Sequence, residues 1–430
     1  MSTSEKNPNL VFIYTDEQAL KTLGAYGNDL IETPNLDRLA EESIVFENPY
    51  VTQPVCTPSR SSLLTGLYPH TSSCTENNIP LPEDIPCLPE MGDFSQYKTA
   101  HFGKWHLGDE VFAQHGFEDW ISIEDMYRGY YSEDKDKNRH SSYTDYLISE
   151  GFTPDIETKD GYKAFSRDFC ARLPERYSKP AYLGRKASVF IRNNQDNPFM
   201  LYVNFLEPHM PFFSCRNEQY SPEDVKLPEN FDHKPGPEEP LKLRLFARGY
   251  YERGHSGLPL QTKTDWRQMI SNYWGLVSLV DTYVGKILKA LEKTGNKDNT
   301  IIVFTSDHGD MMGSHRLLAK CTMYEEATKV PLLMKIPGIE NKRIKSPVSQ
   351  IDLVPTLLEA LNQDIPGHLE GKSWIPYLQE EKDFKNEDVF LEWNGPNSGF
   401  GNEVGGKSII LNCWQRMVEE KEAQKAISDP

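Results

Sequence analysis

Short apolar runs bounded by polar turns alternate along the chain with segments whose apolar residues recur at three and four. That alternation predicts an α/β fold, a large and mainly parallel sheet sandwiched by helices. Five runs read as strands: Asn9 to Gln18 (NLVFIYTDEQ), Tyr97 to Gly108 (YKTAHFGKWHLG), Pro198 to Pro211 (PFMLYVNFLEPHMP), Asn299 to Asp310 (NTIIVFTSDHGD) and Val330 to Gly338 (VPLLMKIPG). The first four end in charged or imidazole side chains, the fifth in a proline turn. Open α/β sheets bind ligands beyond the carboxyl ends of their strands, so the four polar endings are expected to converge on one site. Helices are predicted over Thr33 to Glu42, with Pro34 near the start, over Trp274 to Lys293, and over Ile351 to Leu361. No internal repeat is evident. Asp109 to Ser178, rich in Tyr, Asp and Arg, lacks periodicity, and His233 to Pro240 (HKPGPEEP) is proline-rich. Both are expected to form long loops over a site.

With 430 residues and 38% hydrophobic content, the chain can bury one large domain and a smaller companion. A formal net charge of -18 argues against a nucleic-acid partner, which would need a face of clustered Lys and Arg. An anionic substrate must therefore be attracted locally. No apolar run approaches the roughly 20 residues of a membrane span. The polar start MSTSEKNPNLVFIY shows no signal peptide, which leads to the expectation of a cytoplasmic, membrane-free protein. Seven dispersed cysteines without a CxxC pair read as reduced thiols.

The stretch PVCTPSRSSLLTG (Pro54 to Gly66) adds chemistry. Thr57 is a plausible N-cap, Pro58 suits a first helical turn and Gly66 a stop, so Cys56 is expected at a helix N-terminus. Backbone N–H groups and the macrodipole there favour an anion, and Arg60, one turn on, offers a fork matched to sulfate or phosphate. Taken alone, the pair reads rather as a small buried thiol beside a solvated arginine, since free cysteine is among the most buried residue types.

C-x-P-x-R is the pattern at which sulfatases have their cysteine oxidised to formylglycine, and VTQPVCTPSRSSLLTGLYPH (Val51 to His70) resembles that family's signature throughout. PNLVFIYTDEQ, TPNLDRLAEESIVFENPYV, FGKWHLG, FLEPHMPF, TSDHGDMMGSH and IDLVPTLLEAL follow in the order and approximate spacing of sulfatases, over most of residues 8 to 380. The chain thus resembles formylglycine-dependent sulfatases of the alkaline-phosphatase-like superfamily, among them bacterial arylsulfatases and iduronate-type carbohydrate sulfatases. The resemblance implies a catalytic domain over residues 1–380. It also implies a small C-terminal α+β subdomain over 381–430, which looks truncated, because Asn394 to Pro430 holds at most one or two strands and a charged helical tail.

The implied reaction is hydrolysis of a sulfate monoester on a small molecule or sugar. It needs a formylglycine made from Cys56 by a maturase and one divalent metal, calcium by expectation, with magnesium or manganese as alternatives. One hydroxyl of the hydrated aldehyde attacks sulfur; the second expels sulfate, a step an unmodified thiolate cannot complete. By resemblance Asp16, Glu17, Cys56, Asp307 and His308 hold the metal. Glu17 stands where the family has a second Asp, so its longer arm either ligates or turns away in favour of a water. Arg60 serves the sulfate site. Lys104 bridges the sulfate and the formylglycine oxygen, and His106 takes the proton of the second hydroxyl. His209 and Lys320 contact sulfate and protonate the bridging oxygen. On residue chemistry alone, carboxylates suit Ca or Mg, while imidazole also suits Mn or Zn. Lys104 and His106 alternate on an extended segment and can share a face. His315 could line the cleft, whereas His70 and His101 read as structural. Two rival functions stay open: a phosphonate monoester or phosphodiester hydrolase of the same superfamily, and a non-catalytic binding protein whose cysteine is never modified.

Overall fold

The structure, a computed structural model, describes residues 7–379 and 388–394. Its strands are β1 (Asn9–Asp16), β2 (Ile44–Tyr50), β3 (Lys98–Gly103), β4 (Asp119–Ile121), β5 (Ile156–Glu157), β6 (Lys163–Ala164), β7 (Phe199–Pro208), β8 (Thr300–Ser306), β9 (Leu333–Lys335) and β10 (Arg343–Ser349). Eight of them form one sheet in the order β10-β2-β9-β8-β1-β7-β3-β4, and β5 and β6 make a separate hairpin. Neighbours pair in parallel except at β9, which runs antiparallel to both β2 and β8. The sheet is therefore mainly parallel, as the alternation of elements implied. Because β9 is reversed, its carboxyl end points away from those of β8 and β1. This explains why the fifth apolar run ends in a plain turn.

Side chains alternate across each strand and so feed two apolar layers. Val11 and Ile13 join one layer, with Leu201, Val203, Ile302 and Phe304. Leu10, Phe12 and Tyr14 join the other, with Met200, Tyr202, Ile301 and Val303. The first layer is closed by the helices Pro34–Glu41, Lys179–Asn193 and Lys263–Lys293. The second is closed by Cys56–Thr65, Leu353–Ala360 and Ile375–Gln379.

The expected helices form, with shifted ends. Thr33 occupies the N-cap position of Pro34–Glu41 without a side-chain cap bond, and Pro34 lies in the first turn. The helix expected from Trp274 begins eleven residues earlier, at Lys263, where Thr262 and Asp265 make a capping box that polar TKTD concealed. Ile351 to Leu361 narrows to Leu353–Ala360 after one 3-10 turn. The stretch from Asp109 to Ser178 is less irregular than expected, holding β4, the β5–β6 hairpin and the helices Ser142–Ser149 and Arg167–Ala171. No helix among the described residues is long and apolar enough to cross a membrane. The six described cysteines form no disulfide with one another. Most of the C-terminal subdomain assigned to 381–430 lies outside the described residues.

Candidate active site

Four adjacent central strands, β8, β1, β7 and β3, deliver the polar side chains. Asp16 closes β1, where a register shift after Thr15 sets it opposite Pro208, and Glu17 follows with a left-handed φ of 70°. Asp307 and His308 follow β8, His209 follows β7, and Lys104 and His106 follow β3. Lys320 comes from the loop beyond β8. At the end of β3 Gly103 takes φ +129°, and a Cβ there would overlap the Asn204 carbonyl oxygen. Only glycine fits that turn.

Cys56 opens the helix Cys56–Thr65, all ten of whose residues are buried. Gly66 stops it in the left-handed conformation, donating its N–H to Ser62 O at 2.9 Å. The N-cap is Val55 rather than Thr57. Thr57 Oγ1 instead donates to the His106 carbonyl at 2.7 Å, and its N–H is taken by Asn77 Oδ1 at 3.0 Å. Since Pro58 has no N–H, the helix start offers an anion fewer open amides than its sequence suggested. So polar a helix tolerates burial because its hydroxyls are bonded: Ser62 to Leu67 O at 2.8 Å, Thr65 to Ser61 O at 2.7 Å, and Ser59 to Asp307 O.

Cys56 Sγ lies 3.3 Å from His308 Nε2 and 3.8 Å from Asp16 Oδ1. His308 Nε2 is also 3.6 Å from Asp16 Oδ1 and 3.4 Å from Asp307 Oδ1. The other ring nitrogen, Nδ1, meets the Gly309 carbonyl at 3.0 Å, which assigns it the proton and leaves Nε2 a lone pair. Two carboxylates, an imidazole lone pair and a sulfur thus face one gap, all of them potential ligands of one ion. Burial keeps the His308 ring neutral by pushing its pKa down.

Cations surround this gap. Arg60 places Nε 2.8 Å from Asp307 Oδ2, one terminal nitrogen 2.9 Å from Asp16 Oδ2 and the other 2.9 Å from the Lys104 carbonyl. Its fork therefore clamps the two carboxylates rather than standing open to an oxyanion. Lys104 Nζ is 2.6 Å from Asp16 Oδ2. Burial pushes Asp16 up, but Lys104, His209, Arg60 and Lys320 together outweigh it and hold the carboxylate well below its usual range. Glu17 is not among the atoms that face this gap: its Oε2 is 3.3 Å from Lys320 Nζ and 3.4 Å from His209 Nε2, and with Asp16 and His209 it forms an adjoining set that could also hold a cation. Burial lifts the Glu17 carboxyl to about 7 against the pull of Lys320. His209 Nδ1 meets the Met210 carbonyl at 2.9 Å, and burial, reinforced by Lys320, keeps that ring neutral.

The expected Lys104–His106 alternation does not persist. The strand ends at Gly103, and His106 adopts a left-handed φ of 61°, its ring Nε2 2.9 Å from Asn78 Oδ1 and its centroid 4.3 Å from that of Tyr127. His315 bonds Asn230 and the His233 carbonyl and stacks on Tyr324, while exposed His70 pairs with Glu392. His101 is enclosed by Trp105, Phe117 and Trp120. Sequence reasoning missed Asn77, Asn78, Glu110 and Tyr127. The first two are a polar dipeptide in a loop, and nothing in their spacing marks them. Glu110, four residues beyond His106, carried the only readable signal, as one of an acidic pair with Asp109 shortly after the K-W-H triplet.

The sequence model of the Sulfatase family matches residues 8–363. An ulvan-active sulfatase of Formosa agariphila is 30% identical over 380 residues, covering 85% of this chain, which in turn spans 64% of that protein. An N-acetylglucosamine-6-O-sulfatase of Bacteroides thetaiotaomicron is 29% identical over 404 residues, 87% of this chain and 72% of its own length. Among solved structures, a phosphonate monoester hydrolase from Silicibacter pomeroyi superposes with a TM-score of 0.69 at 24% identity, over 86% of this chain and 76% of its own.

Proposed function

The chain belongs to the sulfatase family, and we propose that it is a sulfuric ester hydrolase that releases inorganic sulfate from a sulfated carbohydrate. The observation that carries this reading is the cluster around Cys56, within a C-T-P-S-R run: Asp16 and His308 against its sulfur, Asp307 beside His308, Lys104 and Lys320 against Asp16, and His209 against Glu17. The carbohydrate relatives named above support the choice of substrate.

Asp16, Asp307 and His308 fit a divalent cation, because carboxylate oxygens of both acids and the lone pair of His308 Nε2 face one gap. Carboxylate oxygens suit calcium, and magnesium or manganese would also be accepted. When bound, that ion supplies Lewis acidity to the nucleophile at position 56, which a maturase converts from cysteine to formylglycine. Arg60 holds both carboxylates in register and removes their freedom to swing toward solvent. Lys104 and Lys320 neutralise the substrate's sulfate oxygens. Lys320, 3.3 Å from Glu17 Oε2 and 3.9 Å from Asp16 Oδ1, keeps its ammonium charged between the two carboxylates and holds the proton for the leaving alkoxide. His209 spends its own N–H on the Met210 carbonyl. His106 takes the proton of the hydroxyl that expels sulfate.

The test pairs mass spectrometry of the peptide across Cys56 with assays of sulfated sugars, aryl sulfates and phosphodiesters, after co-expression with a formylglycine-generating maturase. Conversion at Cys56 and fastest turnover of a sulfated sugar are expected. An unconverted thiol in active protein, or faster turnover of a phosphodiester than of any sulfate ester, overturns the reading.

A further inference from the structure

The N–H groups of Trp105 and His106 donate to one side chain, Glu110, at 2.8 Å to Oε1 and 2.7 Å to Oε2. Glu110 is fully buried. Consecutive amides converging on one anion form a nest, here filled by the chain's own carboxylate, and the nest exists because His106 is left-handed. The other end of His106 is tied as well: its carbonyl accepts from Thr57 Oγ1, which also accepts from Asn78 N–H at 3.2 Å, and Asn78 Oδ1 meets the ring. Thr57 directly follows the nucleophile. Glu110 and Thr57 therefore fix, from opposite ends, the backbone that aims the His106 ring.

Lys104 is held by other means. Its carbonyl accepts from Arg60, its N–H donates to Asn204 O at 3.3 Å, and its ammonium meets Asp16. Loss of Glu110 would thus loosen the amides that set the His106 backbone at one end and leave Lys104 in place. We infer that Glu110 is a positioning residue that acts through His106 on the release of sulfate, the half of the reaction His106 serves in the sulfatase reading on which this inference rests.

The experiment uses the converted enzyme with an activated aryl sulfate. Glu110→Gln should keep an initial burst of about one alcohol per site while steady sulfate release falls roughly 10- to 100-fold, the loss lying in kcat more than KM. Adding Glu110→Gln to His106→Ala should cost nothing further, and hydrogen exchange at amides 105 and 106 should accelerate in the single variant. Should Glu110→Gln fail to fold, Glu110→Asp keeps the charge at a shorter reach and carries the same comparison. Loss of the burst, an additive double variant or unchanged exchange at those two amides overturns the inference. Absence of sulfate-ester turnover by unsubstituted converted protein instead overturns the functional reading.

Discussion

Asp307 is tied down through both carboxylate oxygens. Its Oδ1 accepts the N–H groups of Glu17 at 3.1 Å and His308 at 2.8 Å, while Oδ2 meets Arg60. Asp307→Ala should therefore lower metal affinity at least 10- to 100-fold, with activity lost alongside. Glu17→Gln, whose carboxylate faces Lys320 and His209, should change metal content little. Elemental analysis of both purified variants checks this, and equal metal loss would return Glu17 to the ligand set. Lys320 and His106 should separate kinetically. Lys320→Ala should slow attack most for poorly leaving alcohols, since protonation matters most when the alkoxide is least stable, whereas His106→Ala should show a burst. A plot of rate against leaving-group pKa decides: a flat line for Lys320→Ala would remove its role as acid. Most of these residues could be read from type and motif. Their partners could not, because Arg60's bonds to two carboxylates depend on strands almost three hundred positions apart.

At the scale of elements, the turn after β3 sets Lys104 against Asp16. Gly103→Ala would force a side chain onto the Asn204 carbonyl and strain a left-handed backbone, and should destabilise by about 2 kcal/mol or more. Gly27→Ala, with φ +88° and open space around it, should cost about 1 kcal/mol. Urea midpoints of the two variants separate crowding from backbone strain, and equal losses would mean that the close approach is harmless. Strands buried on both faces announced themselves as apolar runs. β2 and β10 did not, since IVFENPY and RIKSPVS carry polar residues and prolines, which β10 tolerates as the edge strand and β2 tolerates beyond its short pairing with β9. The left-handed turn at His106 was equally illegible, because a carboxylate four residues further on dictates it.

Across the whole molecule a second buried charge group ties the Asp109–Ser178 region to the catalytic core. Glu124 pairs with Arg167 at 2.6 Å and with Lys179, and Arg167 donates to Tyr127 Oη at 2.9 Å, the ring packed on His106. Burial raises the Glu124 pKa, but Arg167 and Lys179 outweigh it and bring it from 4.5 to about 2. A depressed carboxylate stabilises the fold above its unfolded pKa, and that contribution is lost as pH falls through the folded value. About 3 kcal/mol should thus disappear between pH 4.5 and 2. Glu124→Gln should be strongly destabilised at pH 7, leaving two buried cations underpaired, and should approach the unsubstituted protein near pH 2. Unfolding curves over that range test it; a constant gap would place the stabilisation elsewhere.

The burial of every residue of Cys56–Thr65 also sets an order in time. On the proposed reading, a maturase could not grip C-T-P-S-R once that helix is seated, so conversion of Cys56 would have to precede closure of the sheet around it. Each newly made chain would then have a single opportunity, with folding itself as the deadline. A chain that folded first would be a correctly shaped and inert copy, and the active fraction of a preparation would record a race on the nascent chain.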